Sequence, residues 1–396
     1  MRVNLDSGLR RLAVFATHPI QYQAPIWRRL AQAPGLEVVV HYFSDHSIRG
    51  GIDAEFGLGV SWDVDLLGGY KSIFINRNAD LARPSQIRIA DPDAVFRDRA
   101  FDWVLISGYT HRFERQVIGW KRRFGYRIVM RGEFSDEARV SHTGGTYTHL
   151  HAHARDAYLR WFYRRVDSFG VAGTAAKRHL DRLGVPADTQ FASPYNVDTD
   201  LFERQFMSLD RKACRNVLGI GDGQFVILFS GKFIPRKAPE LLLEAVSRIP
   251  KIEGVVAILI GEGELRSEIE RRFRPIMADN LILPGFINQS QLGRYFRAAD
   301  VFVMPSEFET WGLAVNEAMQ FGLPVVVSDR VGCRHDLVIP GVTGDIFPSG
   351  DANRLAGILE GMRNPALRER LGDNCLNHIK GYSTRCASDG LLNALR

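Results

Sequence analysis

Two glutamates, Glu309 and Glu317, stand eight positions apart in the stretch SEFETWGLAVNEAMQFGLPVVVS, with Gly312 between them. A carboxylate is a poor anion ligand but a good acceptor of hydrogen bonds from sugar hydroxyls. The stretch reads as a strand, VFVMPS, a loop, EFETW, a helix from near Gly312 to near Gly322, and a second strand, PVVVS. A helix start carries unpaired N–H groups and the positive end of the helix dipole, which is the setting of a phosphate site. Gly312 lets a phosphate come close to the backbone there. On this reading Glu309, in the loop, and Glu317, on the helix, flank a diphosphate, one acid for each sugar of a nucleotide-diphosphate-sugar. The diphosphate needs cations, and FSGKFIPRKAPELLLEA supplies Lys232 after a strand and Lys237 before a helix, with Arg236 between them. A well-placed donor on a departing charge is worth on the order of 3–4 kcal/mol.

Such a site requires strand–loop–helix units in series, and the chain has them. LAVFAT, APIWRRLAQA and EVVVHYF form one such series; DWVLISG, HRFERQVIGWKRRFG and YRIVMRG form another. The second half repeats the pattern from FVILFSG to PVVVS. Near-continuous Val, Ile and Leu runs suit strands of a parallel sheet buried on both faces. PYNVDTDLFERQ, residues 194–205, has the turn chemistry of a break between halves. The expected architecture is α/β: two doubly wound, Rossmann-like parallel-sheet domains facing across a cleft, with ligands outside the carboxyl ends of the strands.

The chain has 396 residues, 45% hydrophobic and 24% charged, the balance of a soluble globular protein. Cys214, Cys333, Cys375 and Cys386 form no C-x-x-C pair, which argues against a disulfide framework or a structural zinc site. The apolar run Leu12–Ala16 is short for a signal peptide, and no stretch reaches the roughly 20 apolar residues of a membrane span, so a cytoplasmic enzyme is expected. Residues 1–200 hold 27 Lys and Arg against 22 Asp and Glu, five of the net +6. That basic half admits nucleic acid, anionic lipid or a phosphorylated substrate as partners, but no nucleic-acid motif is present. Within it, Arg112, Arg115, Lys121, Arg122, Arg123 and Arg127 are interleaved with Phe113, Trp120 and Phe124. That helix packs its apolar face on a sheet, or does so and also touches an anionic membrane.

Residues from about 194 to 396 resemble the C-terminal domain of family-4 retaining glycosyltransferases of the GT-B fold. Glu309 and Glu317 match that family's E-x(7)-E motif. GKFIPRKA resembles its GR-L-x-x-x-K-G segment, with Lys232 at the arginine position and Lys237 at the lysine position. GEGEL at 261–265 resembles its G-D-G-P-L, and the segments on either side of the second glutamate follow in the same order. The resemblance implies transfer of a sugar from a nucleotide-diphosphate-sugar to an acceptor hydroxyl with retention of configuration, in glycan, polysaccharide or glycolipid biosynthesis. It implies catalytic roles for Lys232, Lys237 and Glu309, and donor contacts from Gly231, Phe286, Ile287, Thr310, Trp311, Gly312, Leu313 and Glu317. The base would lie near Phe286 and Ile287, and no metal or other cofactor is implied. The acceptor would be a saccharide or a lipid-linked saccharide, bound by residues 1–200, with the C-terminal helix of about 381–396 packing back on that domain. Residues 201–380 would hold the donor.

RWFYRRVDSFGVAGTAAKRHLDRLGVP, residues 160–186, resembles the end of the family's N-terminal domain, but the beginning of the first half departs from the family. Its first strand-to-helix loop reads THPIQYQAP rather than a glycine pair, which makes His18, Gln21 and Tyr22 candidate contacts. The family histidine after YRIVMRGEF is replaced by Arg131-Gly132-Glu133, so Arg131, Glu133 or His111 of SGYTHR would line the cleft. His142, His149, His151 and His153 suggest zinc, but no carboxylate or cysteine pattern completes a site. Two other readings stay open: a non-hydrolysing sugar-nucleotide 2-epimerase and a nucleic-acid-binding module.

Overall fold

In the computed structural model, the structure describes residues 9–50, 52–53, 58–59, 61–77, 87–97, 100–136 and 149–396. The chain forms two compact units. The first comprises residues 1–51, 65–195 and 383–396; the second comprises 52–64 and 196–382.

In the first unit, strands β1 (Arg10–Ala16) and β2 (Leu36–Tyr42) pair in parallel. Two short strands that belong to the second unit, β3 (Ile52–Asp53) and β4 (Leu58–Gly59), pair antiparallel with each other. The sheet continues with β5 (Lys71–Phe74), β6 (Trp103–Ile106), β7 (Arg127–Arg131), β8 (Ser168–Val171) and β9 (Gln190–Ala192). Its order is β5-β2-β1-β6-β7-β8-β9, parallel throughout. Helix Arg112–Phe124 turns Phe113, Val117 and Ile118 into the core, and Trp120 and Phe124 pack against it. The apolar face of this basic helix therefore lies on its sheet. Lys121 pairs with Asp167 at 2.7 Å and Arg123 with Asp93 at 2.8 Å; Arg112, Arg115, Arg122 and Arg123 are exposed.

The last helix, Thr384–Ala394, closes the first unit. Ala387, Leu391 and Ala394 pack with Leu12, Val14 and Trp27. Ser193 Oγ donates to the Ala387 carbonyl at 2.8 Å, and Ser168 Oγ to that of Ala394 at 2.7 Å. A Cβ at Gly390 would overlap the Ala192 carbonyl, so only glycine lets helix and strand approach this closely.

The second unit holds β10 (Phe225–Ser230), β11 (Val255–Ile260), β12 (Leu281–Gly285), β13 (Val301–Met304), β14 (Val325–Ser328) and β15 (Gly344–Phe347). They form a parallel sheet in the order β12-β11-β10-β13-β14-β15. All six residues of β11, VVAILI, are buried, as a strand covered on both faces requires. Each such aliphatic side chain contributes about 1.5–3 kcal/mol on burial. The strand order runs outward in both directions from β10 and β13. In doubly wound sheets that point of reversal opens a crevice at the carboxyl ends of the strands.

Candidate functional site

At the carboxyl end of β10 the chain passes through Gly231 and Lys232 into a short 3-10 turn, Pro235–Lys237, and then helix Pro239–Val246. Neighbouring glycines shape this loop. Gly261 and Gly263, after β11, have φ of +143° and +150°, and a Cβ on either would overlap the carbonyl of Gly231 or press on that of Phe233. The GEG sequence is therefore a backbone-packing device. It lets the β11 loop lie against the Lys232 loop, with Phe233 N–H donating to the Glu262 carbonyl at 2.8 Å.

The loop after β13 meets the same turn. Glu307 N–H donates to the Arg236 carbonyl at 2.9 Å, and Lys237 Nζ forms an ion pair with the Glu309 carboxylate. Their side chains are only 15% and 13% exposed, so the pair is largely shielded from water. Glu309 is also fixed through its backbone: its N–H donates to the Arg330 carbonyl at 3.2 Å, and its carbonyl accepts from Gly332 N–H at 2.9 Å. Thr310 is half-buried beside it.

Gly312 caps helix Leu313–Gln320 with φ +100°. A Cβ there would stand 2.8 Å from Met304 Sδ and 3.2 Å from Val331 Cγ1, so both conformation and space call for glycine. Leu313 is half-buried at the first helical position. Trp311 is directed inward: it is 5% exposed, and its indole N–H donates to Asn316 Oδ1 at 2.8 Å. A side-chain donor contact from Trp311 thus has little support, although its backbone remains at the helix start. Glu317, one turn along, is buried at 9% exposure and accepts from Gln289 Nε2 at 3.4 Å. Burial pushes its carboxyl up to about 7, against the lowering effect of the Gln289 hydrogen bond.

Phe286 and Ile287 follow β12 and are half-buried. Gln289 and Trp62 were not singled out by sequence. Trp62 belongs to the same unit through residues 52–64, and its ring lies 6.1 Å from that of Phe286. Neither carries a local motif. Their places depend on pairings 28 and more than 220 residues apart.

In the first unit, His18 follows β1 and His111 follows β6, the two strands between which that sheet's order reverses. His18 bonds to Thr17 Oγ1 at 3.0 Å; burial first, and His46 second, lower its pKa to about 4. It is neutral at physiological pH. His111 caps helix Arg112–Phe124, its N–H donating to Glu114 Oε2 at 2.7 Å. Gln21 is half-buried in the same loop as His18. Arg131 is 6% exposed and is held by Ser193 Oγ at 2.8 Å and the Pro194 carbonyl at 2.9 Å. Its guanidinium lies over the ring of Tyr195, which also meets Tyr22 edge-on at 6.4 Å. Burial, then the nearby Glu133 carboxylate, raises the Tyr195 phenol well above its ordinary value. Arg131, Glu133, Tyr22 and Tyr195 thus form one cluster, of which Glu133 is the exposed member. His142 lies outside the described residues, as does the side chain of His149. Among the described residues no group of three or more His, Cys, Asp or Glu is placed to hold a metal, and no helix is long and apolar enough to cross a membrane.

Residues 210–378 match the family model "Glycosyl transferases group 1". D-inositol 3-phosphate glycosyltransferase of Geodermatophilus obscurus is 32% identical over 237 residues, covering 57% of this chain and 51% of the relative. Sulfoquinovosyl transferase SQD2 of Arabidopsis thaliana is 30% identical over 241 residues, 59% of this chain and 45% of the relative. The chain spans about half the length of the curated relatives it matches. Over the whole chain the fold is similar to sucrose-phosphate synthase from Thermosynechococcus elongatus, with TM-score 0.72, 17% identity and coverage of 96% and 97%. It is also similar to Anabaena HepE in complex with UDP-glucose, with TM-score 0.67, 16% identity and coverage of 97% and 99%. The chain therefore has the two-domain GT-B fold, and its residues 210–378 match the glycosyl transferases group 1 model.

Proposed function

We propose that this protein transfers a sugar from a nucleoside-diphosphate sugar to an acceptor hydroxyl, with retention of configuration and without a divalent metal. The observation that carries the reading is the grouping at the carboxyl ends of β10 and β13. There a Lys237–Glu309 pair, a glycine-capped helix start and a buried Glu317 stand within one unit. The match of that region to glycosyl transferases group 1, and the UDP-glucose complex of a protein sharing the fold, support it.

In this reading Lys232, Lys237 and the first N–H groups of helix Leu313–Gln320 receive the diphosphate. The ionised Glu317 accepts hydrogen bonds from the ribose hydroxyls, and Glu309 from the hydroxyls of the transferred sugar. Lys237 then has two partners in turn: Glu309 before the donor arrives, and the developing negative charge on the departing diphosphate in the transition state. The bond from the anomeric carbon to the diphosphate oxygen breaks. The acceptor oxygen bonds to that carbon on the same face, and its proton passes to the departing phosphate. The acceptor is a saccharide hydroxyl.

A denaturation screen against nucleotide sugars tests the donor half. At a hundred times its dissociation constant a true donor stabilises by about 2.7 kcal/mol. The stabilising compound is expected to lose its effect on E317A. A screen in which every nucleotide sugar leaves the transition unmoved would refute the reading.

A further inference from the structure

Residues 61–63 are fastened to the loop Gly285–Ser290 on both sides of Trp62. The Asn288 side chain donates to the Ser61 carbonyl at 2.6 Å and accepts from Asp63 N–H at 3.2 Å. The Asp63 carboxylate in turn accepts from Ser290 N–H at 3.2 Å and from the Ser290 hydroxyl, at the start of helix Gln289–Ala298. A carboxylate is favoured at such a helix start. The two residues flanking Trp62 are thus pinned, and the indole between them meets the Phe286 ring at 6.1 Å with the planes tilted by 59°. Both rings are half-buried, so the corner they make keeps part of its aromatic surface open. The same short loop carries Gln289, which bonds to Glu317 at 3.4 Å. One loop therefore joins the aromatic corner to the carboxylate assigned to the ribose.

We propose that Trp62, with Phe286, forms the surface on which the donor's nucleobase rests, so that a residue from the first half of the chain sets base preference in the second unit. The inference rests on the nucleotide-sugar reading above. A base is joined directly to the ribose, so a group that binds ribose places the base beside it. Every base has a π-face that stacks on an aromatic ring, and tilted or offset arrangements of such faces are favoured over face-to-face sandwiches. A turn that only had to tie residues 61–63 to Asn288 and Ser290 would be served by the polar contacts alone.

The test is titration calorimetry of the full chain and of W62A and W62F with UDP, ADP and GDP, and with inorganic pyrophosphate as the base-free control. The expected result is that W62A binds the preferred nucleoside diphosphate about five-fold to a hundred-fold more weakly, the span of base stacking on an aromatic side chain. Discrimination among the three bases narrows, W62F restores most of the affinity, and pyrophosphate binding is unchanged in all three proteins. If the parent binds a nucleoside diphosphate and W62A matches it in affinity and base preference, the inference fails alone. Equal loss of pyrophosphate and nucleotide affinity in W62A also overturns it, because Trp62 is then a packing element of the diphosphate site. A parent protein that binds none of the three refutes the donor reading and this inference together.

Discussion

Replacing Glu317 by glutamine should make the empty protein more stable while weakening its hold on the donor. The carboxyl is 9% exposed and its pKa stands at about 7, against an ordinary value of 4.5. A raised pKa means that the folded state favours the protonated form. The stabilising proton is fully present below pH 4.5, and its contribution is lost as pH rises through about 7. Across that interval, at about 1.4 kcal/mol per pH unit, the ionised carboxylate costs the fold about 3 kcal/mol. Glutamine has no charge to bury, and its carbonyl can still accept from Gln289. Urea denaturation of parent and E317Q without nucleotide should therefore show a gap below about 1 kcal/mol at pH 5 that widens to about 3 kcal/mol at pH 8, with E317Q the more stable. Other titrating groups are common to both proteins and cancel. At pH 8 the same variant should bind the nucleotide sugar more weakly, because a neutral amide accepts hydroxyl hydrogen bonds less strongly than a carboxylate. A gap that does not change with pH, or a variant less stable than the parent at pH 8, would refute the reasoning.

Further perturbations probe the neighbouring groups. K237M leaves the Glu309 carboxylate without its cation in a shielded loop and removes a donor from the diphosphate; kcat/KM should fall on the order of 10²–10³-fold, and a fall under about ten-fold would show that Lys237 does not meet developing charge. G312A forces a side chain into φ +100° against Met304, and thermal unfolding should show a loss of roughly 1–3 kcal/mol; an unchanged transition would contradict the close packing. On the proposed reading, in which Lys232, Lys237 and a helix start take the place of a cation, transfer should survive excess EDTA. Activity lost to chelator and restored by Mg²⁺ or Mn²⁺ would mean a metal site that the lysine arrangement does not explain.

What the sequence made legible was local. Strand-buried runs such as VVAILI announce a parallel sheet because both faces are covered, and β11 has all six residues buried. The strand, loop, helix order around Glu309 and Glu317 is contained in some twenty residues, and Gly312 lies at the turn into the helix, where its positive φ is needed. The environment of those groups was not legible. Glu317 sits on an ordinary-looking helix, and its burial depends on Gln289 and on packing from other elements. The glycines of GEGEL resemble a ligand loop but serve the approach of one backbone to another. The basic helix Arg112–Phe124 shows an amphipathic pattern, and its apolar residues pack on the sheet as that pattern predicts. The attachment of residues 61–63 to Asn288 and Ser290 spans about 225 positions, a distance over which no periodicity or turn rule applies. The cluster around Arg131 likewise draws on Tyr22 and Tyr195, which no motif connects.

The most direct test of the account is to follow the anomeric proton of a stabilising nucleotide sugar by NMR, with and without a saccharide acceptor. The account predicts that nucleoside diphosphate is released only when acceptor is present, that the new linkage keeps the anomeric configuration of the donor, and that E309A shows neither signal. Turnover of the donor to an epimer without acceptor, or a product of inverted configuration, would contradict it.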